Sequence, residues 1–436
     1  HAFATTMTVQ TPLESAGLSV TTTDPEPATF VPDEGTADVT VLGAGVIGVA
    51  TAYAAARRGL SVRLVDRPGG PALGTSFANG AQLSYVYTDA LGSPALWKHL
   101  PQLLLGLDPV FRMHWLFDPD SLKWGLAFLR NTTASRFREN TLAVLELAME
   151  SKSAMDALLQ RHRIEFSHSA PGKMHLYHDA GALRRAEAVA AIKQRHGVVQ
   201  QVLSPREAVA VEPALEGVAG LVGVLHSPQE EVGDPHRFCV ELLRVLGEHY
   251  GVQACFETDI DDLVREPDAI TLATRDGRRL RSRQLVVCAG VESTRLARKL
   301  GIRMPLMPMK GYSFTTRCGP HTPVASITDT TRKLVFCRLG EQLRVAGLAE
   351  LGVRDTAVDP GRSDLLVALA RASLPAAADY DAIESRWAGL RPMTPSSMPI
   401  VRQVQDGIVF NVGHGMLGWT LAMGAGERAA ALLAHR

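Results

Sequence analysis

Asp38-Val39-Thr40-Val41-Leu42-Gly43-Ala44-Gly45-Val46-Ile47-Gly48 is the stretch that decides the fold class of this chain. Val39 to Leu42 are apolar or β-branched and read as a short buried strand. The last six residues form a GxGxxG. A helix follows through Ala50, Ala52, Ala54, Ala55 and Ala56, with Arg57 and Arg58 in its last turn and Gly59 as its stop. A second strand, Ser61 to Val65, ends in Asp66. Each part has a physical purpose. Gly43 permits the tight turn, Gly45 lets the backbone approach a pyrophosphate, and Gly48 lets helix and strand pack closely. The free N–H groups at the helix start present partial positive charge to phosphates. Asp66 lies 23 positions after Gly43, close to the spacing of about 20 expected of an acid that accepts from ribose hydroxyls. Strand, turn, helix, strand and acid in this order indicate a bound dinucleotide, but do not separate FAD from NAD.

Three later features favour FAD. Only one complete fingerprint, with its second strand and terminal acid, occurs, leaving no second site for a nicotinamide. The strand Gln284 to Cys288 ends in Ala289-Gly290 before a helix, which suits another strand of the same sheet. Near the C-terminus, Ile408 to Val412 leads into Gly413-His414-Gly415-Met416-Leu417-Gly418-Trp419-Thr420 and an alanine-rich helix. That is again strand, glycine-rich loop and helix, whose N–H groups can face an anion or the charge of a reduced flavin.

Composition bounds the rest. Lys plus Arg and Asp plus Glu both number 45, so no net field points to nucleic acid or an anionic membrane. A chain of 436 residues, 46% hydrophobic and 21% charged, can fill two domain cores. The basic run Arg278 to Arg283 follows Asp276-Gly277, a hairpin signal, and reads as the solvated face of a strand. Five scattered cysteines without a CxxC argue against a disulfide framework or a zinc site, and no metal is expected. The first 36 residues carry Thr, Pro and acidic residues but no Lys or Arg; they read as a disordered extension without the features of a signal peptide, which implies a cytoplasmic protein. Leu91 to Leu129 is more apolar, with Trp97, Trp115, Phe117, Trp124 and Phe128, but prolines and aspartates interrupt it. It reads as core, as a lid over a ligand or as a peripheral membrane contact.

With these segments in place, the chain resembles the D-amino acid dehydrogenase family of amine-oxidising flavoproteins, from about Val39 to the C-terminus. Further landmarks are Gly74-Thr75-Ser76-Phe77-Ala78-Asn79-Gly80-Ala81-Gln82-Leu83-Ser84, Glu231-Val232-Gly233-Asp234, Met309-Lys310-Gly311-Tyr312-Ser313 and Gly389-Leu390-Arg391-Pro392-Met393-Thr394-Pro395. The resemblance implies an α/β fold: a Rossmann-type doubly wound FAD domain interleaved with an antiparallel-sheet α+β substrate domain, similar to D-amino acid oxidase and glycine oxidase. It implies that Gly43, Ala44, Gly45, Val46, Ile47, Gly48, Asp66 and Arg67 hold the ADP half. Ala81 and Gln82 match the segment that passes the flavin ring near N5, and Ser76, Asn79, Gly80, Leu83, Ile260, Ala289 and Gly290 are further cofactor contacts. Gly413 to Thr420 edge the pyrimidine. Arg391 clamps the substrate carboxylate and Tyr312 assists it. Tyr85 and Tyr87 are weaker candidates for the pocket wall, and His414 for direct chemistry.

The implied activity is oxidative deamination of D-amino acids to 2-oxo acids and ammonia, by hydride transfer from the α-carbon to flavin N5. A guanidinium fork is the natural partner of an α-carboxylate, and Arg391, preceding a proline, sits in extended chain. No cysteine occupies the C-terminal glycine loop, so the FAD is expected to be non-covalent. The electron acceptor, oxygen or a membrane quinone of a respiratory chain, stays open, as does association with the inner membrane. Three rivals also remain. They are another amine on the same scaffold (a D-hydroxyproline, a proline-like or N-methyl amino acid, or an L-amino acid), an NAD-dependent dehydrogenase, and a non-catalytic flavin-binding subunit.

The expected organisation is discontinuous: 37–86, 135–165, 235–304 and 396–436 for the FAD domain, and 87–134, 166–234 and 305–395 for the substrate domain. Asp234-Pro235 reads as the N-cap and first turn of a helix that Gly251 ends. Strands are expected around Lys173–Tyr177, Leu221–Leu225, Gly311–Thr316 and Leu343–Leu348.

Overall fold

The computed structural model describes residues 35–114 and 118–434. Most of the expected N-terminal extension, and Trp115 and Phe117, lie outside the described residues.

The opening strand runs Ala37–Leu42 and the second Val62–Val65, paired in parallel. Around them the chain builds a sheet by returning three times. Gln253–Cys255 joins the outer edge of Val62–Val65, the long strand Arg279–Val287 joins the other side of Ala37–Leu42, and Ile408–Val412 extends the sheet beyond it, all in parallel. Alternation divides the strand side chains between two cores. Val39, Val41, Leu64 and Val286 face a helical layer, whereas Leu42, Val65, Leu285 and Val287 face a second cluster that includes Ile270, Leu272 and Leu296. Burial on both faces is what a parallel sheet requires. The basic run behaves as a solvated face: Arg279, Arg281 and Arg283 are exposed, Leu280 and Ser282 are buried, and the hairpin turns at Gly277.

The helical layer shows how closely backbones approach. The fingerprint helix Val46–Arg57 and the helix Ala134–Arg161 flank the C-terminal helix Gly418–Ala431. A Cβ at Gly424 would stand 2.8 Å from Leu147 O, and one at Gly426 2.8 Å from Ala50 C, so both glycines are steric requirements of the helix contacts. Helix Pro235–Tyr250 starts as expected. The Asp234 carboxylate accepts from the N–H groups of His236 and Arg237, and Gly251 closes the helix in the left-handed region. Its Phe238, Leu242 and Leu246 are completely buried, each worth about 1.5–3 kcal/mol.

A second, nine-stranded sheet is mainly antiparallel. Its order is Ala378–Met393, Met307–Cys318, Gln342–Leu351, Leu334–Leu339, Ser326–Asp329, Lys173–Tyr177, Gly223–Ser227 and Gln201–Leu203, with Phe111–Met113 added beside Gln342–Leu351. The fold is thus a doubly wound, Rossmann-type α/β unit interleaved with an antiparallel-sheet unit. The apolar stretch after Leu91 becomes helix Leu96–Leu104, strand Phe111–Met113 and helix Pro119–Arg130. Trp124 is core: it stacks on Phe128, packs with Met307, Met309 and Met393, and donates its indole N–H to Met393 O at 2.9 Å. Among the described residues no helix is long and apolar enough to cross a membrane.

Candidate active site

A cavity of about 1070 Å³ runs from the fingerprint to the second sheet. At its fingerprint end Gly43 has φ 105°, and a Cβ there would stand 2.8 Å from Cys288 C and 3.2 Å from Ala289 Cα. A Cβ at Gly48 would collide with the Gly43 carbonyl. Only glycine lets this turn, helix and strand approach one another. Asp66 Oδ2 accepts from Ala44 N–H at 2.7 Å and Oδ1 from Arg67 N–H at 2.8 Å. Burial nevertheless raises its pKa above the ordinary aspartate value. Ser76 Oγ accepts from Val46 N–H at 3.1 Å, fixing the 74–84 segment against the helix start.

That segment continues along the cavity. Ala81 N–H donates to Asn79 Oδ1 at 2.9 Å, and Ala81 takes φ 58°, a left-handed conformation that costs a non-glycine residue energy. Ser84 N–H donates to Thr420 Oγ1 at 2.9 Å, joining the segment to the C-terminal loop. In that loop His414 is 4% exposed, borders the cavity, and its Nε2 has no protein partner among the described residues. Burial pulls its pKa down to about 3, so the ring is neutral at physiological pH. Glycine cradles, a helix N-terminus, an acid at the second strand and an orphaned buried imidazole fit a flavin dinucleotide.

Arg391 lies across the cavity. Strand register sets Arg391 opposite Met309, Gly389 opposite Gly311 and Trp387 opposite Ser313, so these side chains share one face of the sheet. The guanidinium lies flat over Gly311, where a Cβ would stand 2.6 Å from Cζ and 2.8 Å from Nη1; the Trp387 ring covers Gly389 in the same way. Among the described residues Arg391 makes no hydrogen bond or ion pair through its side chain, and burial alone draws its pKa down to about 10, which leaves it cationic. A sheltered guanidinium with both prongs unused has the geometry to take a carboxylate in a bidentate pair.

The tyrosine expected to help it is arranged differently. Tyr312 borders the cavity, but alternation along Met307–Cys318 sends it to the face opposite Arg391. Its hydroxyl donates to Glu350 Oε2 at 3.1 Å, and Glu350 in turn pairs with Arg362 at 2.8 Å. Assistance from Tyr312 therefore does not follow from this geometry. Tyr85 does not reach the cavity: it is 1% exposed within the fingerprint core, with Lys152 Nζ 5.4 Å from its ring centroid. Tyr87 does line the cavity, its ring tilted 31° against that of His175 with the centroids 3.8 Å apart. Of the candidate cofactor contacts, Gly43, Gly45, Val46, Ile47, Asp66, Arg67, Ser76, Asn79, Gly80, Ala81, Gln82, Ile260, Ala289, Gly290 and Gly413 to Trp419 line it. Ala44, Gly48, Leu83 and Thr420 stand behind the wall, where they pack or hold the lining residues.

Sequence reasoning missed a buried polar cluster beside Tyr87. Lys173 lines the cavity and donates to Gln82 Oε1 at 2.9 Å and Ser84 Oγ at 2.7 Å. Lys193 donates to Asp89 Oδ1 at 2.7 Å and Val86 O at 2.8 Å. Glu230 Oε1 accepts from Val86 N–H at 2.7 Å. No local motif marks these residues, because the partners lie about a hundred positions apart.

The family model for FAD dependent oxidoreductases matches residues 38–432. A D-amino acid dehydrogenase 2 of Ralstonia nicotianae is 39% identical over 410 residues, covering 91% of this chain and 96% of the relative. A D-amino acid dehydrogenase of Paramagnetospirillum magneticum is 38% identical over 407 residues, covering 91% and 95%. The crystal structure of glycine oxidase from Geobacillus kaustophilus superposes with a TM-score of 0.72 at 19% identity, covering 91% of this chain and 94% of that one, a likeness of fold alone. An NAD-dependent dehydrogenase is thereby set aside. A fingerprint, a cavity shaped for a flavin dinucleotide and relatives matched almost end to end lead to one conclusion: the chain is an FAD-dependent oxidoreductase and belongs to the D-amino acid dehydrogenase family.

Proposed function

We propose that the enzyme oxidises D-amino acids to 2-oxo acids and ammonia, with Arg391 as the carboxylate clamp. The observation that carries this reading is the guanidinium of Arg391, without a side-chain partner among the described residues, in the wall of the cavity that the fingerprint opens. A bidentate pair with the α-carboxylate fixes the substrate at two points and leaves its Cα–H and amine to face the cofactor. FAD, held by Gly43, Gly45, Asp66, the 74–84 segment and the Gly413–Thr420 loop, supplies the two-electron acceptor when bound. The protein orients the substrate and excludes water, with Trp387, Met309 and Leu91 as apolar wall. No side-chain base is needed once the amine is neutral. The division into a cofactor body of 37–86, 135–165, 235–304 and 396–436 and a substrate body of the intervening segments is part of the same proposal.

Anaerobic titration with D-alanine and L-alanine, followed at the visible flavin band, tests the reading. Bleaching by the D form alone is expected. Bleaching by L-alanine, or by N-methyl and cyclic amines only, would replace the substrate assignment.

The electron acceptor we propose is a membrane quinone, reached by peripheral contact. Trp97, Leu105, Leu107, Leu122 and Leu126 are all more than half exposed on or beside the helices Leu96–Leu104 and Pro119–Arg130, with Lys98 and Lys123 nearby. Apolar side chains flanked by lysines suit the headgroup boundary of an anionic bilayer. Flotation with anionic vesicles should carry the wild type but not a Leu105→Ser/Leu107→Ser/Leu126→Ser variant.

A further inference from the structure

Arg391 is not the only cation in the cavity wall without an anionic partner. Lys173 is 3% exposed, and the two partners of its ammonium, Gln82 Oε1 and Ser84 Oγ, are both uncharged. Its third donor has the face of the Tyr87 ring, centroid 5.0 Å from Nζ, in place of an acceptor, and no carboxylate stands within ion-pair distance among the described residues. Lys193, on the other side of Tyr87, shows the usual solution, a direct pair with Asp89 at 2.7 Å. Glu230 is close enough for its charge to act on Lys173 but forms no ion pair with it: Oε1 accepts from Val86 N–H, and Oε2 has no hydrogen-bond partner among the described residues. Burial raises Glu230 and lowers Lys173 while the charge of each opposes the other's shift, and burial keeps His175, on the same strand, neutral. Desolvating an ammonium costs several kcal/mol unless negative charge comes to meet it. Lys173 is therefore placed to receive a charge that the described residues do not supply.

Its location says which charge. Gln82 and Ser84 belong to the segment that passes along the cavity, and Ser84 N–H is bonded to Thr420 at the C-terminal loop. Arg391, five strands away across the sheet, already accounts for one carboxylate. We propose that Lys173 is an electrostatic positioning residue for the cofactor, its ammonium offsetting the negative charge that the bound flavin ring gains on two-electron reduction. The inference rests on the reading above that the ring lies against the 74–84 segment. In each turnover the substrate ammonium loses a proton and its Cα–H leaves as a hydride. The hydride brings two electrons and one net negative charge to the ring. The proton passes to water, because the amine held at Arg391 stands five strands from Lys173.

Sulfite provides the test, because it adds to an oxidised flavin as an anion and reports positive charge near the ring without substrate. In the FAD-loaded protein, Lys173→Met should weaken sulfite binding at least tenfold and lower the two-electron midpoint potential, about 30 mV for each tenfold change. Lys173→Arg should stay within threefold of wild type. Lys173→Gln, whose amide can still bond Ser84, serves as the charge-removing variant if the Met protein does not fold. Equal sulfite affinity in the wild type and a charge-removing variant would overturn the proposal. So would an equal loss in the Gln and Arg variants, which would mark a packing role. An unchanged sulfite affinity with a raised KM only for D-amino acids bearing a side-chain carboxylate would assign Lys173 to the substrate instead. A wild type that binds FAD but is bleached by no amino acid would fail the functional reading, and its sulfite affinity would still judge Lys173.

Discussion

Gly311→Ala tests the carboxylate clamp without touching the arginine. The new Cβ would stand 2.6 Å from Arg391 Cζ and 2.8 Å from Nη1, so the guanidinium must retreat by about 1 Å to reach ordinary contact at roughly 3.5 Å. It is the end of a flexible side chain, so the strand pairing of Met307–Cys318 should survive while the fork loses its position. A charged hydrogen bond contributes about 1.5–3 kcal/mol, and 1.36 kcal/mol is a factor of ten. Losing one prong should therefore raise KM for D-alanine by about 10- to 150-fold. The assay is steady-state kinetics with an artificial electron acceptor, beside the flavin spectrum and the melting temperature as controls for loading and folding. A KM within threefold of wild type in a flavin-loaded variant would refute the reasoning. An equal loss toward the amide of the same amino acid, which has no carboxylate, would refute it too.

Tyr312→Phe removes only the bond to Glu350; KM should stay within about twofold while denaturant unfolding shows a loss of about 1–2 kcal/mol. A large rise in KM would return Tyr312 to the substrate. Asp66→Ala removes the acceptor of Ala44 N–H and should weaken FAD binding by about 10- to 150-fold, read by fluorescence of released flavin; a change under threefold would contradict its place in the site. The folded pKa of His414, about 3, lies below its unfolded value near 6.5, so the unfolded chain binds the proton that the buried ring refuses. Stability should fall as pH drops from 6.5 toward 3, by up to about 1.4 kcal/mol per unit, and His414→Gln should flatten that slope in unfolding curves taken with excess FAD. Superimposable slopes would remove His414 as the cause.

The parts legible in the sequence are those whose physics is local. Gly43, Gly45 and Gly48 announce a turn and a close approach within a few residues, and Asp234-Pro235 with Gly251 announces both ends of a helix. Strand alternation also placed the basic run of Arg279, Arg281 and Arg283 on a solvated face. Tyr85, by contrast, was legible only as an aromatic near a motif, and it packs inward against the fingerprint core.

What the sequence by itself determined is the dinucleotide fingerprint, its sheet and the caps; Arg391 was singled out by the family resemblance. Only the tertiary structure decided how these groups act. Register put Arg391 over Gly311 and sent Tyr312 to the other face, because one residue along a strand reverses the direction of a side chain. The contact of Lys173 with Gln82 and Ser84 joins positions about ninety residues apart, and its lack of an ion-pair partner among the described residues is a property of the assembled cavity. Burial, pairing and electrostatic compensation are relations between distant segments, and they arise only when the chain has folded.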